Sequence, residues 1–425
     1  MPTADVVVIG AGLAGLSCAV ELAEGGARVY VAAKGMAATH WGHGGLDIAA
    51  PPGAVTAVEG IARLAAMRGH PYAGLAAEVA PAVRGHLERL AGAGLPYAGN
   101  LAAAFATVPT AVGTTRPAGI LPAAQAALLE PWDGPGLLIV GFERFRDAWP
   151  SYAARNLGRI SWPDGPRTIR GIEVPLPELH SLHNLNALTL ARRFDDPAWR
   201  ARALHAIADA LPPGSWRIGL PAVLGIDDHA AALAEAADRL GGAPFEMVSV
   251  PPSVPGLRLF EALRGRLLAA GGRMQWGFRV VDVEREANRV LAIHTEAASR
   301  TLRLAAAEFV LATGGVAGGG IRAHPDGSLA ERVFGLPVAA PDRDAWFGSD
   351  ALAAQPIDAA GIAVDHRLRP VDGPRNVTVI GSALAGMRYL DERCGDGVAL
   401  ASAHRAARLL GRAGADASVR QEATA

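Results

Sequence analysis

The stretch VVVIGAGLAGLSCAVELAEGGARVYVAAKG, residues 6–35, decides the fold class. The continuous β-branched run at residues 5–9 predicts a buried parallel strand. Apolar residues then recur with helical spacing from Leu13 to Glu24, and Gly25-Gly26 ends that helix. A second apolar run at residues 28–33 predicts the next strand. The chain therefore begins with a strand–helix–strand unit, which indicates an α/β fold.

Three glycines occupy the turn between the first strand and the helix. Gly10, Gly12 and Gly15 form G-x-G-x-x-G, in which the first glycine permits a tight turn, the second lets a pyrophosphate approach, and the third lets helix and strand pack closely. The helix then begins at Leu13 and Ala14 with amide groups directed at the phosphate. We therefore predict that these five residues bind a nucleotide cofactor.

The end of the second strand departs from the usual dinucleotide pattern. An Asp or Glu there normally accepts the ribose hydroxyls of the adenosine, but this chain has Ala32, Ala33 and Lys34. Lys34 cannot accept those hydrogen bonds; it can pair with a phosphate or remain solvated. The pattern weakens the case for FAD and NAD and leaves room for FMN.

Two later segments add to the predicted cofactor site. VLATGG, residues 310–315, ends a buried strand, and NVTVIG leads to a second glycine turn before the late helix that starts at GDGV. Their order is that of a flavoprotein with two dinucleotide-binding motifs, in which the late helix stabilises negative charge at the flavin pyrimidine edge. Asp396 can contact the ribityl chain or phosphate, or it can cap the helix. The predicted cofactor residues here are Thr313, Gly314, Gly315, Gly381, Gly395, Asp396, Gly397 and Val398.

The texture of the sequence changes in the middle of the chain. Between residues 96 and 255, short β-like runs alternate with helical pieces and many prolines, which predicts an inserted α+β cap domain for the substrate. The flavin-binding domain is then discontinuous, comprising residues 1–95, 256–320 and 371–415. Residues 321–370 form a smaller Pro-rich excursion that we expect to pack near the cap.

Composition excludes several classes of function. The formal charge of −1 and the pI near 6.9 give no field that favours nucleic acid. The two cysteines, Cys18 and Cys394, form no CxxC, so we expect neither an iron–sulfur cluster nor a metal–thiolate site within the chain. Any cluster must then belong to another subunit. The sequence suggests neither a signal peptide nor a membrane span, and we expect a cytoplasmic protein.

Nearly the whole chain resembles a known family. The resemblance lies in VIGAGLAGLSCAVEL, HWGHGGLDI, VPTAVGTTRPA, IEVPLPEL, LARRFDD, VPPSVPGLRL, FVLATGG and GDGVALASA. These segments are similar to the B subunit of the anaerobic glycerol-3-phosphate dehydrogenase, a flavoprotein related to the fumarate reductase flavoprotein group. The VGTTRP and PPSVPGLRL segments are much more specific than the glycine motifs.

The resemblance implies oxidation of sn-glycerol 3-phosphate to dihydroxyacetone phosphate and FMN as the cofactor, with FAD as the alternative. It also implies a larger FAD-containing A subunit and a membrane-associated iron–sulfur subunit that passes electrons to quinone. The chain would then be peripheral to the inner face of the cell membrane through a partner. Two alternatives remain open: a flavin relay or scaffold subunit of the same complex, and a standalone FAD oxidoreductase of the fumarate reductase type.

Oxidation of a secondary alcohol needs a base and cationic groups for the phosphate. Arg258, in PPSVPGLR, can hold a phosphate as a bidentate fork; Arg116, with Thr110 and Thr115, is a second candidate. His43, between two glycines, can act as base or donor. We expect His40, Trp41, Gly44 and Gly45 to lie near the flavin. His180 and His183 have no third ligand nearby in sequence, so we predict no metal there.

Overall fold

The computed structural model describes residues 4–132, 136–163, 165–241, 243–297 and 300–422 of the chain. These fall into two compact units. The first unit comprises Met1–Ala38, Asp47–Arg89 and Ala262–Ala425, and the second comprises Thr39–Leu46 and Leu90–Glu261. Residues 39–46, placed by sequence in the flavin-binding domain, thus belong to the second unit. Residues 321–370 belong to the first unit.

The strands of the first unit form a mixed main sheet and one small antiparallel pair. They are β1 Ala4–Ile9, β2 Val29–Ala33, β11 Arg273–Trp276, β12 Arg279–Glu286, β13 Arg289–Ala297, β14 Arg300–Leu311, β15 Ile321–Ala323, β16 Leu329–Glu331 and β17 Val377–Val379. In the described residues the main sheet has the order β11-β2-β1-β14-β13-β12, and β17 also pairs with β14. The strands from β11 to β14, and β17, run parallel.

Strand β14 belongs to two kinds of sheet. Residues 300–305 pair antiparallel with β13, whereas residues 306–311 pair parallel with β1. The second half is the strand that FVLATGG predicts, and Phe309, Val310 and Leu311 are fully buried, as a strand in the middle of a sheet requires. The first half continues a local meander that the sequence indicated only as short strands.

The helices of the chain are found where apolar spacing predicts them, with sharper limits. They are α1 Leu13–Glu24, α2 Ala57–Ala65, α3 Tyr72–Gly92, α4 Pro150–Leu157, α5 Ala187–Phe194, α6 Pro197–Ala210, α7 His229–Leu240, α8 Val254–Ala269, α9 Tyr389–Glu392 and α10 Gly395–Glu422. The stretch at 58–94 is two helices because Thr56 caps α2 through the Glu59 amide and the chain turns before Pro71. Among the described residues, no helix is both long and apolar enough to span a bilayer.

The second unit contains β3 Tyr97–Gly99, β4 Ala106–Pro109, β5 Thr115–Ala118, β6 Ile120–Pro122, β7 Gly136–Phe142, β8 Ile169–Val174, β9 Trp216–Leu220 and β10 Phe245–Glu246. Its main sheet has the order β10-β9-β7-β8, and all of these pairs are parallel. The sequence predicted an α+β insertion; its main sheet instead has the parallel strands and intervening helices of an α/β layer, while β3–β6 and β4–β5 are antiparallel.

Strand β7 is the centre of this second core. Leu138, Val140 and Phe142 point to one face, where they pack with the buried residues of α5, α6 and α7. Leu137 and Ile139 point to the other, where they pack with α4 and with the β10 region. Burial on both faces explains the unbroken apolar run LLIVGF.

Candidate functional site

Four predicted cofactor segments meet at one edge of the first unit's sheet. Ile9 is in register with both Ala32 and Leu311, and Leu311 is in register with Val379. The strand ends are tied by the Gly10 amide on Ala32 O at 2.9 Å, the Ala312 amide on Ile9 O at 2.9 Å and the Ile380 amide on Leu311 O at 3.0 Å. Since parallel strands end together, the Gly10 turn, Lys34, Thr313-Gly314-Gly315 and Gly381 share this edge, where ligands of open α/β sheets bind.

The Gly10–Gly15 turn needs glycine for reasons visible in the backbone. Gly10 has φ +113°, and a Cβ there would overlap Ala312 O. A Cβ on Gly15 would overlap Gly10 O. Helix α1 begins after Gly12 with no side-chain cap, so its first amides lie where the fingerprint places a phosphate. Leu13 and Ala14 are buried behind the turn.

The end of β14 adds a polar group and two close backbone approaches. Thr313 Oγ1 is buried and has no hydrogen-bond partner among the described residues. Gly314 has φ +84°, and a Cβ on Gly315 would lie 2.5 Å from Ser382 O. A Cβ on Gly381, whose φ is +68°, would lie 2.7 Å from Ala14 Cβ. An unpartnered hydroxyl among glycines fits a flavin, with Gly10, Gly12, Gly15, Thr313 and Gly314 as the residues that would hold it.

The late helix α10 is closed by the chain itself. The amides of Asp396 and Gly397 both donate to Asp47 O at 3.1 Å, and the Asp47 amide donates to Asp396 Oδ2 at 2.8 Å. Asp396 therefore makes a reciprocal bond with a segment 349 positions away. The flavin contacts predicted for Gly395, Asp396, Gly397 and Val398 stay predictions, because two of the amides are already used within the chain.

Gly397 has a structural reason to be glycine. A Cβ there would overlap the Tyr72 hydroxyl and lie 2.5 Å from Ile48 O. Tyr72 is fully buried and donates its hydroxyl to Ile48 O. Burial raises the pKa of Tyr72 well above its usual value, so the hydroxyl stays a donor. The glycine that the sequence assigned to the cofactor thus also lets the segment at 47–50 approach α10.

Lys34 follows β2 directly and is exposed, whereas Ala32 and Ala33 are buried. Its position at the sheet edge agrees with the predicted location. Whether it contacts a phosphate stays a prediction.

The loop at residues 39–45 packs on the family-specific segment VPPSVPG within the second unit. Ser253 donates its hydroxyl to Gly42 O, and a Cβ on Gly44 would overlap Pro255. A Cβ on Gly45 would lie 2.6 Å from Leu121 and 2.7 Å from the His43 ring. The two glycines expected to face a flavin therefore have close protein neighbours of their own.

His43 is held in one tautomer. Its Nδ1 accepts the Gly45 amide at 3.0 Å, so the proton of the neutral ring sits on Nε2. Gln125, which is fully buried, donates from Nε2 to His43 O at 3.1 Å. In this geometry the outer nitrogen of neutral His43 is a hydrogen-bond donor rather than a base.

Arg258 is engaged within the second unit, which speaks against its predicted role as a phosphate fork. Its guanidinium, 4 % exposed, donates from Nη1 to Glu246 Oε2 at 2.7 Å and from Nη2 to Glu246 Oε1 at 2.9 Å. Nε donates to Gly225 O at 2.8 Å. Glu246 also accepts the Leu224 amide at 2.8 Å. The bidentate geometry is present, but a carboxylate of the chain occupies it.

Arg258 also lines a mainly apolar cavity of about 120 Å³. Pro122, His229 and Pro255 are among the other residues that line it. Burial lowers the pKa of His229, and the nearby Arg258 acts in the same direction. Neutral His229 and paired Arg258 give the cavity little net charge.

The remaining predicted residues are dispersed within the second unit. Arg116 lies on β5 opposite Val108, next to a turn in which the Thr110 and Thr114 hydroxyls lie 2.8 Å apart. The buried His40 ring packs on Phe260, with centroids 4.3 Å apart. Trp41 is 51 % exposed. His180 and His183 are on the surface, and the partner of His180 is Glu143 at 3.5 Å.

The residues that support these groups were not predicted from the sequence. Gln125, Glu246 and Ser253 each bond to a predicted segment from a distant part of the chain. Only Ser253 carried a signal, because it lies inside VPPSVPGLRL.

Comparisons with known proteins agree with this geometry. The FAD binding domain family model matches residues 5–398. The chain is 33% identical over 95% of its length, and 96% of the relative, to the B subunit of the probable anaerobic glycerol-3-phosphate dehydrogenase of Halobacterium salinarum. It is 33% identical, over 94% and 96%, to the corresponding protein of Pectobacterium atrosepticum. Among solved structures, it is similar to the 3-ketosteroid delta1-dehydrogenase of Sterolibacterium denitrificans (13% identity, 97% and 100% coverage, TM-score 0.46).

The family match covers the glycine turn, the second unit and the start of α10. The predicted fold class, a Rossmann-like flavoprotein fold with an insertion, is confirmed. The chain is a flavin-binding oxidoreductase. It belongs to the family of B subunits of the anaerobic glycerol-3-phosphate dehydrogenase.

Proposed function

We propose that this chain oxidises sn-glycerol 3-phosphate to dihydroxyacetone phosphate as the B subunit of a multi-subunit dehydrogenase. Family membership over 95% of the chain carries the proposal, since the relatives are named for this reaction. The glycine-lined sheet edge in the first unit supports the flavin that the reaction needs. Electrons would pass to an iron–sulfur subunit and quinone, and a larger FAD-containing A subunit would complete the assembly.

A flavin bound at the sheet edge supplies the two-electron acceptor for the hydrogen on the substrate's carbinol carbon. The chain's own residues must bind the phosphate and control the hydroxyl proton. With its proton on Nε2, neutral His43 can donate a hydrogen bond to the substrate oxygen, which becomes a ketone oxygen in the product. We propose this donor role for His43, held by the Gly45 amide and Gln125.

We propose FMN as the flavin of this chain, with FAD as the competing assignment. The absence of a carboxylate at Ala32-Ala33-Lys34 supports FMN, because the adenosine ribose lacks its usual acceptor there. The name of the matching family model favours FAD. We further propose that the protein works on the cytoplasmic side of the cell membrane and is attached there by a partner subunit.

One experiment tests flavin and reaction together. The purified chain is denatured, the released flavin is identified by chromatography, and the intact chain is titrated anaerobically with glycerol 3-phosphate while the flavin absorbance is followed. FMN that bleaches with substrate supports the proposal. FAD that does not respond to glycerol 3-phosphate, with or without the partner subunits, contradicts it and favours a standalone oxidoreductase of another substrate.

A relay subunit is the second candidate, and Arg258 favours it. In such a subunit the flavin only passes electrons from the A subunit to the clusters. The predicted phosphate fork is occupied by Glu246, so the strongest candidate for substrate binding is already engaged within the chain. A flavin that substrate reduces only when the A subunit is present would support this alternative.

Arg258 itself separates the two candidates. We expect Arg258→Met to cost about 3–5 kcal/mol in the free energy of unfolding, because it leaves Glu246 buried without its cation. The exposed pair of Arg28 with Asp5, 2.6 Å apart, provides the control, and Arg28→Met should cost at most about 1 kcal/mol. A phosphate role would instead raise the KM for glycerol 3-phosphate while stability stayed near that of the control. Denaturant unfolding and steady-state kinetics measure both.

A further inference from the structure

Three buried side chains with metal-binding atoms converge at the start of α10, outside the predicted cofactor residues. His70, Glu392 and Cys394 are each at most 3 % exposed. Their ligand atoms, His70 Nε2, a Glu392 oxygen and Cys394 Sγ, all lie within 4.8 Å of one another. No sequence pattern indicates this cluster, because 324 positions separate His70 from Cys394.

The separations match those of ligands on one tetrahedral ion. Nε2 lies 3.3 Å from Glu392 Oε2, Sγ lies 3.5 Å from the same oxygen, and Sγ lies 3.8 Å from Nε2. Bond lengths typical of zinc place tetrahedral N, O and S ligands about 3.3–3.6 Å apart. Little movement is therefore needed for one ion to touch all three atoms.

The charge of the cluster points the same way. Glu392 Oε1 is buried without a hydrogen-bond partner among the described residues. Arg388 Nε lies 3.9 Å from that oxygen, on a side chain that is 44% exposed. A divalent cation bound by one carboxylate, one thiolate and one neutral imidazole would leave no net charge in this buried position.

We propose that His70, Glu392 and Cys394 form a binding site for a thiophilic divalent cation of the zinc type. The donor set of sulfur, imidazole nitrogen and carboxylate oxygen is typical of zinc rather than of calcium or magnesium. The site corrects the expectation that no metal–thiolate centre can form within the chain. It is independent of the substrate and of the flavin.

Binding requires a defined movement of protons. The Tyr72 amide donates to His70 Nδ1 at 3.0 Å, so without metal the ring proton lies on Nε2, facing Glu392. On binding, Nε2 gives its lone pair to the ion, and the ring proton is carried by Nδ1 instead. The Tyr72 amide then loses its acceptor. The thiol proton of Cys394 goes to solvent as the S–metal bond forms.

Metal analysis of the full-length chain tests the proposal. The protein is expressed with added zinc chloride, purified without chelators or metal-affinity resin, and analysed by inductively coupled plasma mass spectrometry. We expect one zinc per chain, and at least a tenfold loss in Cys394→Ser and in His70→Gln. The matched control is Cys18→Ser, which removes the other buried thiol and should keep the zinc.

X-ray absorption at the zinc edge decides the case if a variant fails to fold. The wild-type chain should show one sulfur and two or more nitrogen or oxygen ligands, and hydrogen exchange at the Tyr72 amide should be faster with zinc than without it. Zinc bound without sulfur, or wild-type zinc content no higher than that of Cys394→Ser, would overturn the site. The three residues would then be a metal-free hydrogen-bonded cluster, with the ring proton on Nε2.

Discussion

Two glycine-led helix starts in the first unit look alike in sequence and differ in structure. At α1, the glycines of Gly10–Gly15 bring the turn against β14, and no side chain caps the helix. At α10, the amides of Asp396 and Gly397 are bound by Asp47 O, and Gly397 is packed against Tyr72. The same residue pattern leaves one helix start for a ligand and lets another part of the chain close the other. Glycine before a helix predicts close approach, but not what approaches.

The strongest test of the first turn is Gly10→Ala. The added Cβ overlaps Ala312 O at φ +113°, so we expect the flavin content per chain to fall at least tenfold. Gly26→Ala is the control, because Gly26 has φ +87° and no heavy atom within 4 Å of its Cβ position. That variant carries only the backbone strain of about 1–2 kcal/mol. Flavin absorbance after gel filtration measures the outcome, and a Gly10→Ala chain with full flavin would refute the assignment of the turn.

The second turn is tested by Gly397→Ala combined with Tyr72→Phe. We expect Gly397→Ala to cost about 2–3 kcal/mol because its Cβ collides with the Tyr72 hydroxyl. The cost should be smaller in the Tyr72→Phe background, which removes that hydroxyl, and denaturant unfolding of the four chains gives the coupling. If Gly397 serves mainly the flavin, the two changes will be additive and flavin content will fall instead.

The pH dependence of α3, which carries Tyr72, affects the same comparison. His86 is buried, its Nε2 has no hydrogen-bond partner among the described residues, and burial lowers its pKa to about 3. Since the unfolded chain takes up this proton near pH 6.5, stability is fully present above that pH and is lost as the pH falls. Between pH 7 and pH 5 the loss is about 2 kcal/mol. His86→Leu should remove this component, and equal unfolding curves for both chains at pH 5 and pH 7 would disprove it.

The smallest expected effect belongs to the Asp396 cap. Asp396→Ala removes the acceptor of the Asp47 amide, which should cost about 1 kcal/mol, and Asp396→Asn should cost less. Thermal unfolding of the two variants measures the difference. Unchanged stability together with lost flavin would return Asp396 to the cofactor role predicted from sequence.

The sequence was sufficient where neighbouring residues determine the structure. The run at 5–9, the glycine turn and the helix to Glu24 form one local unit, and their periodicity predicts β1 and α1. The strand LLIVGF and the helix at 187–194 were predicted for the same reason.

Partners far apart in sequence could not be predicted from a single chain. Glu246 pairs with Arg258, Asp47 closes α10, and His70 meets Glu392, and in each case the sequence around one partner carries no trace of the other. The parallel order of the second sheet was missed because short apolar strands have the same spacing in parallel and antiparallel sheets.

The double pairing of β14 has a consequence for how the chain folds during synthesis. Residues 300–305 pair with β13, their neighbour in sequence, but residues 306–311 complete β1, which left the ribosome about three hundred residues earlier. Until then β1 has an unpaired edge that can associate with other nascent chains. The nearly contiguous segment 90–261 can fold during this interval. Slowing of translation near residue 311, or a chaperone that shields β1, should therefore govern the yield of the folded protein.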